Sequence, residues 1–520
     1  AIIQVIPYWF INFDPSMDGP QHLHNSRVLI ELLKNNELFQ EFYIINPVIV
    51  GYWTGHFLLS LFNVMFASHI AENLLISFYL IGLAISFRFL VRSINPKPSH
   101  LTVLIIPFSY TFYFLMGYYS FSLSFIFVFI ALGYFFRIRN RMTLKTSIVL
   151  SLLMLGVFLS HAFVFALFGL SLVLLIIFEF INKNANDITL KKAIRELVRR
   201  SLLLFIISLP SIILLVVYIN HIVSLDLVST IPPERIDFNE RINLLARIRA
   251  LIAYHMEKEA YSNYFYWIPI IIAINYAIHK TFLFTKLNVS NNRIVWKYFF
   301  TEKYIWAQIA LIFLFIYLAF PDRLFAGNLV SRVALFLFYF LIVWVASIPL
   351  PKKLSAFLAG LVLVPFIFQS TFRQVIQREL AEYSVDIHTL EQYIEPNSIL
   401  YPVSKSSNWI DLHFLNYLGV ERPIINLGNP QCQGQFPVVW NYKSRPKLMV
   451  GNIDVSNFWA VNFTGNENSK VVNVEYVAVY RWGEFQNSEG HAEIKDQLTQ
   501  HYELVKLSPA ENAALFRLKE

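Results

Sequence analysis

Charge is scarce in this chain. Asp, Glu, Lys and Arg make up 15% of its 520 residues, whereas a soluble globular domain carries about 25%. With 56% of residues hydrophobic, an ordinary soluble protein is excluded and a membrane protein is expected. Cysteine is almost missing too: Cys432 stands alone, so no intramolecular disulfide can form and cysteine usage says nothing about compartment. Internal repeats and low-complexity tracts are absent. Within the apolar runs charged residues are nearly missing, which argues against a transporter or flippase, where charge near the midplane is the rule.

What is present is a series of apolar runs long enough to cross a hydrocarbon core of about 30 Å, ending near residue 371. Basic clusters mark the cytoplasmic turns: 88–98, 137–145, 191–200, 280–303 and 351–353. Between them the runs pair as 101–117 with 121–136, 147–160 with 162–181, 202–219 with 264–279, and 304–320 with 333–349. A last run, 354–371, leads outward. The opening "AIIQVIPYWFINF" is too short to span and reads as the end of a truncated first helix. Parity then requires that one of the runs 47–66 and 70–91 does not cross. The first carries Gly51, Gly55, His56 and Asn63 and is expected to lie at the outer interface. The predicted fold is an α-helical polytopic membrane protein of about eleven transmembrane helices over 1–371, followed by a soluble α/β domain over 372–520. Its first outer loop is 14–69 and its large outer loop 220–263.

Between the first two helical runs lies "DPSMDGPQHLHN", residues 14–25. Gly19 and Pro20 force a turn after Asp18, and His22 and His24 follow at once. The bland role for Asp14 or Asp18 is to cap the helix that begins here. A metal is the other use of these groups: Asp18, His22, His24 and His161 are of the right type for zinc or a similar divalent ion, but H-L-H matches no defined site. No metal site is therefore assigned, and no cofactor is certain. His161, in "SHAF" between two apolar runs, is either a functional group or one that satisfies helix ends.

The order of elements resembles the type-C glycosyltransferases, polytopic enzymes that take sugars from polyprenyl-phosphate carriers and include protein O-mannosyltransferases and aminoarabinose transferases. The residues that carry the likeness are 14–33, "NPVIVGYWTGHFLLSLF" (46–62), 71–93, 117–137 and 159–167. The resemblance implies that the acid of the first outer loop is the catalytic base, with Asp18 the better match and Asp14 the second. It also implies a second acid in the next outer turn, where "MGYYSF" offers only Tyr118, Tyr119 and Ser120. By the same likeness, the donor is a polyprenyl-phosphate sugar and the chain belongs in a bacterial inner membrane, with its C-terminal domain periplasmic and concerned with acceptors or partners.

Such a reaction breaks a bond from C1 to a phosphate oxygen through an oxocarbenium-like transition state, and in the inverting form one carboxylate takes the acceptor's proton. The departing phosphate needs a cation. "PDRLFAGNLVSR" supplies Arg323 and Arg332 at an outer turn, with Arg332 the expected phosphate ligand and an ion pair to Asp322 its plain rival. His22, His161, His24 and Tyr118 are expected to shape the cavity. The stretch "INLLARIRALIAYHM" (242–256) has apolar positions at helical spacing and reads as an interfacial amphipathic helix, its Arg247 and Arg249 drawn to anionic lipid.

In the tail, "SILYPV", "RPIINL", "FPVVWNY", "KLMVG", "VVNVEYVAVYRW" and "YELVKL" suit strands, while "DIHTLEQYI", "WIDLHFLNYLG" and "HAEIKDQLTQH" suit helices, giving about five strands in an α/β layer. It contains no nucleophile triad, phosphate-binding glycine loop or CxxC. Trp409, Asp411, His413 and Trp440 are either a carbohydrate-binding face or core. The partners expected are the lipid-linked donor, an acceptor that is a glycan, a protein or a lipid, and membrane lipids; no nucleic acid is expected. The alternative is a non-catalytic relative serving as a structural subunit of a cell-envelope complex.

Overall fold

In the computed structural model, the residues described are 2–184, 190–225, 235–288, 301–322, 329–404, 406–441, 460–462, 471–488 and 492–520. The chain is mostly helical, 71%, with a small sheet region near its C-terminus. Among the described residues, six helices are long and apolar enough to cross a membrane: Ser68–Ile94, Tyr119–Ile138, Ala162–Asn182, Ile194–Ser224, Leu329–Ser347 and Lys352–Tyr393. Shorter apolar helices cover His100–Leu115, Leu144–Ser160 and Ile305–Ala319. This composition is that of a polytopic membrane protein. The chain divides into two compact units, one of residues 79–115 and 121–373, the other of 2–78, 116–120 and 374–520. The second unit thus takes in residues 14–69 and the turn 116–120 together with the tail.

In the first unit, the run 101–117 is not the continuous helix expected. It breaks into 3-10 turns at His100–Ile105 and Pro107–Ser109 and a single α-turn, Phe112–Leu115. Pro107 has no N–H to give and its ring blocks the preceding turn. Irregular backbone in an apolar setting survives only where protein groups satisfy it, and they do here: Tyr339 donates to the Phe108 carbonyl at 3.1 Å, Tyr79 to that of Ser109 at 3.0 Å, and Arg373 Nη1 to that of Tyr110 at 3.2 Å. The stretch 242–256 is also not one helix. A helix Phe238–Ala246 ends before Ile248, which takes a left-handed φ of 48°. The chain then folds back on Glu259, whose Oε2 accepts the backbone N–H groups of Ala253, Tyr254 and His255 at 2.8, 2.7 and 3.0 Å. Its Oε1 pairs with Arg373 Nε at 2.5 Å, and both side chains are buried. Arg249 lies over the Phe112 ring, so this cation packs on protein.

Among its described residues the second unit holds nine short strands, β1 Tyr43–Ile45, β2 Ser398–Ser404, β3 Ile424–Asn426, β4 Val438–Trp440, β5 Ala460–Asn462, β6 Val471–Asn473, β7 Tyr476–Tyr480, β8 Tyr502–Leu507 and β9 Ala513–Leu518. The main sheet runs β3-β2-β7-β9-β8, with β2 parallel to β3 and β7 and the rest antiparallel. β5 pairs with β6. β4, expected in the tail's own layer, instead pairs antiparallel with β1 from the first outer loop. One apolar core joins Val28, Leu29, Leu32, Phe39 and Phe42 to Ile399, Val438, Val477 and Phe516. Trp440 stacks on Tyr43 at 4.5 Å and is core. Asp411 is buried against Arg481 at 2.8 Å and Tyr480 at 2.9 Å, and burial pushes His413 down to about 4. The four residues Trp409, Asp411, His413 and Trp440 thus form no common binding face. "WIDLHFLNYLG" yields only a 3-10 turn, Phe414–Tyr417, while "KLMVG" lies outside the described residues.

Candidate functional site

The helix Gly19–Leu33 starts on Gly19-Pro20, where proline's fixed φ and missing N–H suit the first turn. Asp18 occupies the cap position, yet its side chain makes no cap hydrogen bond, so capping does not account for it. Its backbone is pinned from the turn 116–120: Asp18 N–H donates to the Met116 carbonyl at 3.0 Å. Gly117, at φ +82°, comes so close that a Cβ there would sit 2.4 Å from Gly19 N and 2.8 Å from Ser16 Oγ. Only glycine fits both the conformation and the space. Gly117→Ala is expected to lower stability by about 1–3 kcal/mol, read as a drop in the thermal midpoint in detergent. An unchanged midpoint would show that the two turns do not bear on each other.

Asp18 stays partly exposed while burial raises its carboxyl to about 7. Asp14 is different. Its side chain is buried, its backbone N–H donates to Glu72 Oε2 at 3.0 Å, and Tyr119 O–H reaches Glu72 Oε1 at 2.7 Å and Asp14 Oδ2 at 3.5 Å. Burial first, and the Glu72 charge second, hold Asp14 well above the usual carboxylate range. Two carboxyls crowded away from water favour sharing a proton over both ionising. Asp14 is thus less open to an incoming substrate than Asp18. Asp14→Asn, close in shape to the neutral acid, is expected to change stability by under about 1 kcal/mol in acid, below the unfolded carboxyl value of about 4. Because a raised pKa stabilises at low pH and that contribution is lost as pH rises through the folded value, the variant should gain on the parent as pH increases. A parent that becomes steadily more stable relative to Asp14→Asn toward high pH contradicts the protonated assignment.

The acid beside Asp14 thus comes from the helix Ser68–Ile94. Glu72 was overlooked in the sequence although an acid in the first turns of an apolar helix is itself a signal. His56, of the helix Trp53–Met65, was read only as a polar mark of an interfacial run. At 13 residues that helix is about 20 Å long, short of the hydrocarbon core. Its His56 packs edge-on to His22 at 5.0 Å, and Tyr119 and Phe436 lie 5.8 and 5.9 Å from the His22 ring. Burial holds His22 well below its usual value, with the neighbouring His56 a smaller cause, and takes His56 to about 4. His24, two residues on, is brought elsewhere: it is buried against Gly419, where a Cβ would fall 2.8 Å from its Cε1, and burial lowers it to about 4. Tyr118 is half-buried in the turn before Tyr119. Among the described residues no group of three or more His, Cys, Asp or Glu is placed to hold a metal ion.

Arg332 and His161 belong to the first unit. The Arg332 guanidinium lies over the rings of Tyr113, Phe121 and Phe163 at 5.8, 5.7 and 5.5 Å, and His161 packs edge-on to the same Phe121 at 5.1 Å. Beside them Tyr113 O–H and Ser331 Oγ share a hydrogen bond at 2.5 Å. The rival ion pair does not form: Asp322 is held by Arg241 Nη2 at 2.6 Å, and Arg241 also binds the carbonyls of Tyr317, Leu318 and Phe320 at the end of the helix Ile305–Ala319. Among the described residues Arg332 has no carboxylate partner. Arg323 lies outside the described residues.

Compared with protein-family models, with curated proteins and with solved structures, the chain matches none.

Proposed function

We propose that this chain is a bacterial inner-membrane glycosyltransferase of about eleven crossings that moves a sugar from a polyprenyl-phosphate carrier to a periplasmic acceptor. The observation that carries the reading is Asp18: a partly exposed carboxylate outside the membrane-spanning helices, free of a capping duty, with its backbone locked by a neighbouring turn and its carboxyl raised to about 7. A general base works best when its pKa is near the working pH. In the reaction the acceptor oxygen bonds to C1 of the sugar, the bond from C1 to the carrier phosphate breaks, the acceptor's proton passes to Asp18, and the polyprenyl phosphate leaves. Inversion at C1 follows from attack opposite the leaving group. The fully buried Asp14–Glu72 pair brings no second carboxylate to the substrate, so one acid carries the proton transfer and the pair fixes the loop.

The test is transfer of radiolabelled sugar from defined polyprenyl-phosphate donors to membrane extracts by the purified protein. Turnover that depends on Asp18 supports the enzyme. A folded protein that transfers none of the donors, while co-purifying in a fixed ratio with envelope proteins, supports a structural subunit instead.

A further inference from the structure

His56 is buried and its two ring nitrogens have different fates. Nδ1 lies 3.0 Å from the Tyr52 carbonyl, an acceptor only, so Nδ1 must carry the proton and the neutral ring presents a bare lone pair at Nε2. That nitrogen is shielded from solvent and has no hydrogen-bond partner. Leaving such a group unpaired is costly, and buried polar groups are as a rule satisfied.

The surroundings hold the ring in this state. Tyr52 adopts a left-handed φ of 71°, a conformation that a bulky residue keeps only when its neighbours enforce it. Ser120 Oγ donates to the same carbonyl at 3.0 Å. Gly55 leaves room for Ser120, since a Cβ there would lie 2.4 Å from its Oγ. The Tyr52 ring packs on Phe436 at 4.6 Å, and Phe436 lies 5.8 Å from His56. A residue in a left-handed conformation, a serine and two rings therefore hold the His56 ring beside His22, which stands one helical turn after Asp18.

We propose that His56 Nε2 accepts a hydrogen bond from a hydroxyl of the sugar being transferred, making His56 a specificity-determining residue. The assignment rests on the transferase reading above and adds to it the group that tells a glycosylated carrier from a bare one. A polyol suits the site chemically: Nε2 needs an O–H donor, and the rings of Tyr52 and Phe436 offer an apolar face of the kind sugar C–H groups pack against. A carboxylate or phosphate oxygen has no proton to give.

Two measurements test it. Nitrogen-15 NMR of labelled protein at neutral pH is expected to find His56 protonated at Nδ1 and bare at Nε2; a proton on Nε2 overturns the assignment. Binding is then measured for farnesyl phosphate and for its mannosyl, glucosyl, galactosyl and arabinosyl phosphodiesters. At least one glycosylated form is expected to bind the parent protein about five- to tenfold tighter than the bare lipid. That ratio should fall to about one in His56→Asn, which keeps a donor near Nδ1 but no acceptor at Nε2, and survive in part in His56→Gln, which places an oxygen there. A ratio unchanged in His56→Asn, or a parent that never distinguishes glycosylated from bare lipid, overturns the His56 role alone. A parent that binds none of these lipids overturns the transferase reading and the His56 role with it.

Discussion

Asp18→Asn is expected to lower sugar transfer by about 10²–10⁴-fold, the usual worth of a general base, with no loss of stability. The amide keeps the shape and the partial exposure of the side chain, and no cap hydrogen bond is lost because none exists. The pH dependence of the parent gives an independent reading. A base acts when ionised, and burial places Asp18 at about 7, so the rate should climb through neutral pH and level off above it. The stability linkage runs the other way: with the folded value above the unfolded one, the contribution of Asp18 is complete in acid and is lost between about pH 4 and 7. Activity that is flat across this range, or an Asn variant that transfers at the parental rate, removes Asp18 from the chemistry.

Glu259→Ala is expected to be the most damaging single change to the first unit. It strips a buried guanidinium of its partner and frees three backbone N–H groups that Glu259 gathers. Breaking one side of a buried pair costs about 3–5 kcal/mol. Arg373 cannot turn to water, because its other nitrogens already bind the carbonyls of Leu251 and Tyr110. The double variant Glu259→Gln with Arg373→Met should be less costly than Glu259→Ala, since the amide still accepts from the backbone while no bare charge remains. Thermal unfolding in detergent, compared across the variants, checks this. A midpoint for Glu259→Ala within experimental scatter of the parent would mean that the pair holds nothing together.

Some of this was legible from residues in a row. Gly19-Pro20 marked the helix start, the β-rich runs at 398–404 and 502–507 became strands, and "HAEIKDQLTQH" became the helix Ala492–His501. The run 101–117 misled because its hydrophobicity announced a span while Pro107 and the side chains of Tyr79, Tyr339 and Arg373 held it in broken turns. The fifth strand of the main sheet, Ala513–Leu518, was missed, since "AALFRL" alone reads as well for a helix.

The sequence by itself determined the solvent this protein lives in. The free energy of placing a side chain in lipid or water is local, and 520 residues with so little charge leave one answer. It also determined which short stretch carries the acid and the turn. Only the tertiary structure decided who meets whom: Glu72 comes to Asp14 from 58 residues away, Tyr119 closes the pair, and β1 of the first loop finds β4 near the other end of the chain. Such partners share no periodicity that a window of sequence can register. They are fixed by packing and by the cost of leaving buried polar groups unpaired, quantities that exist only once the chain has folded.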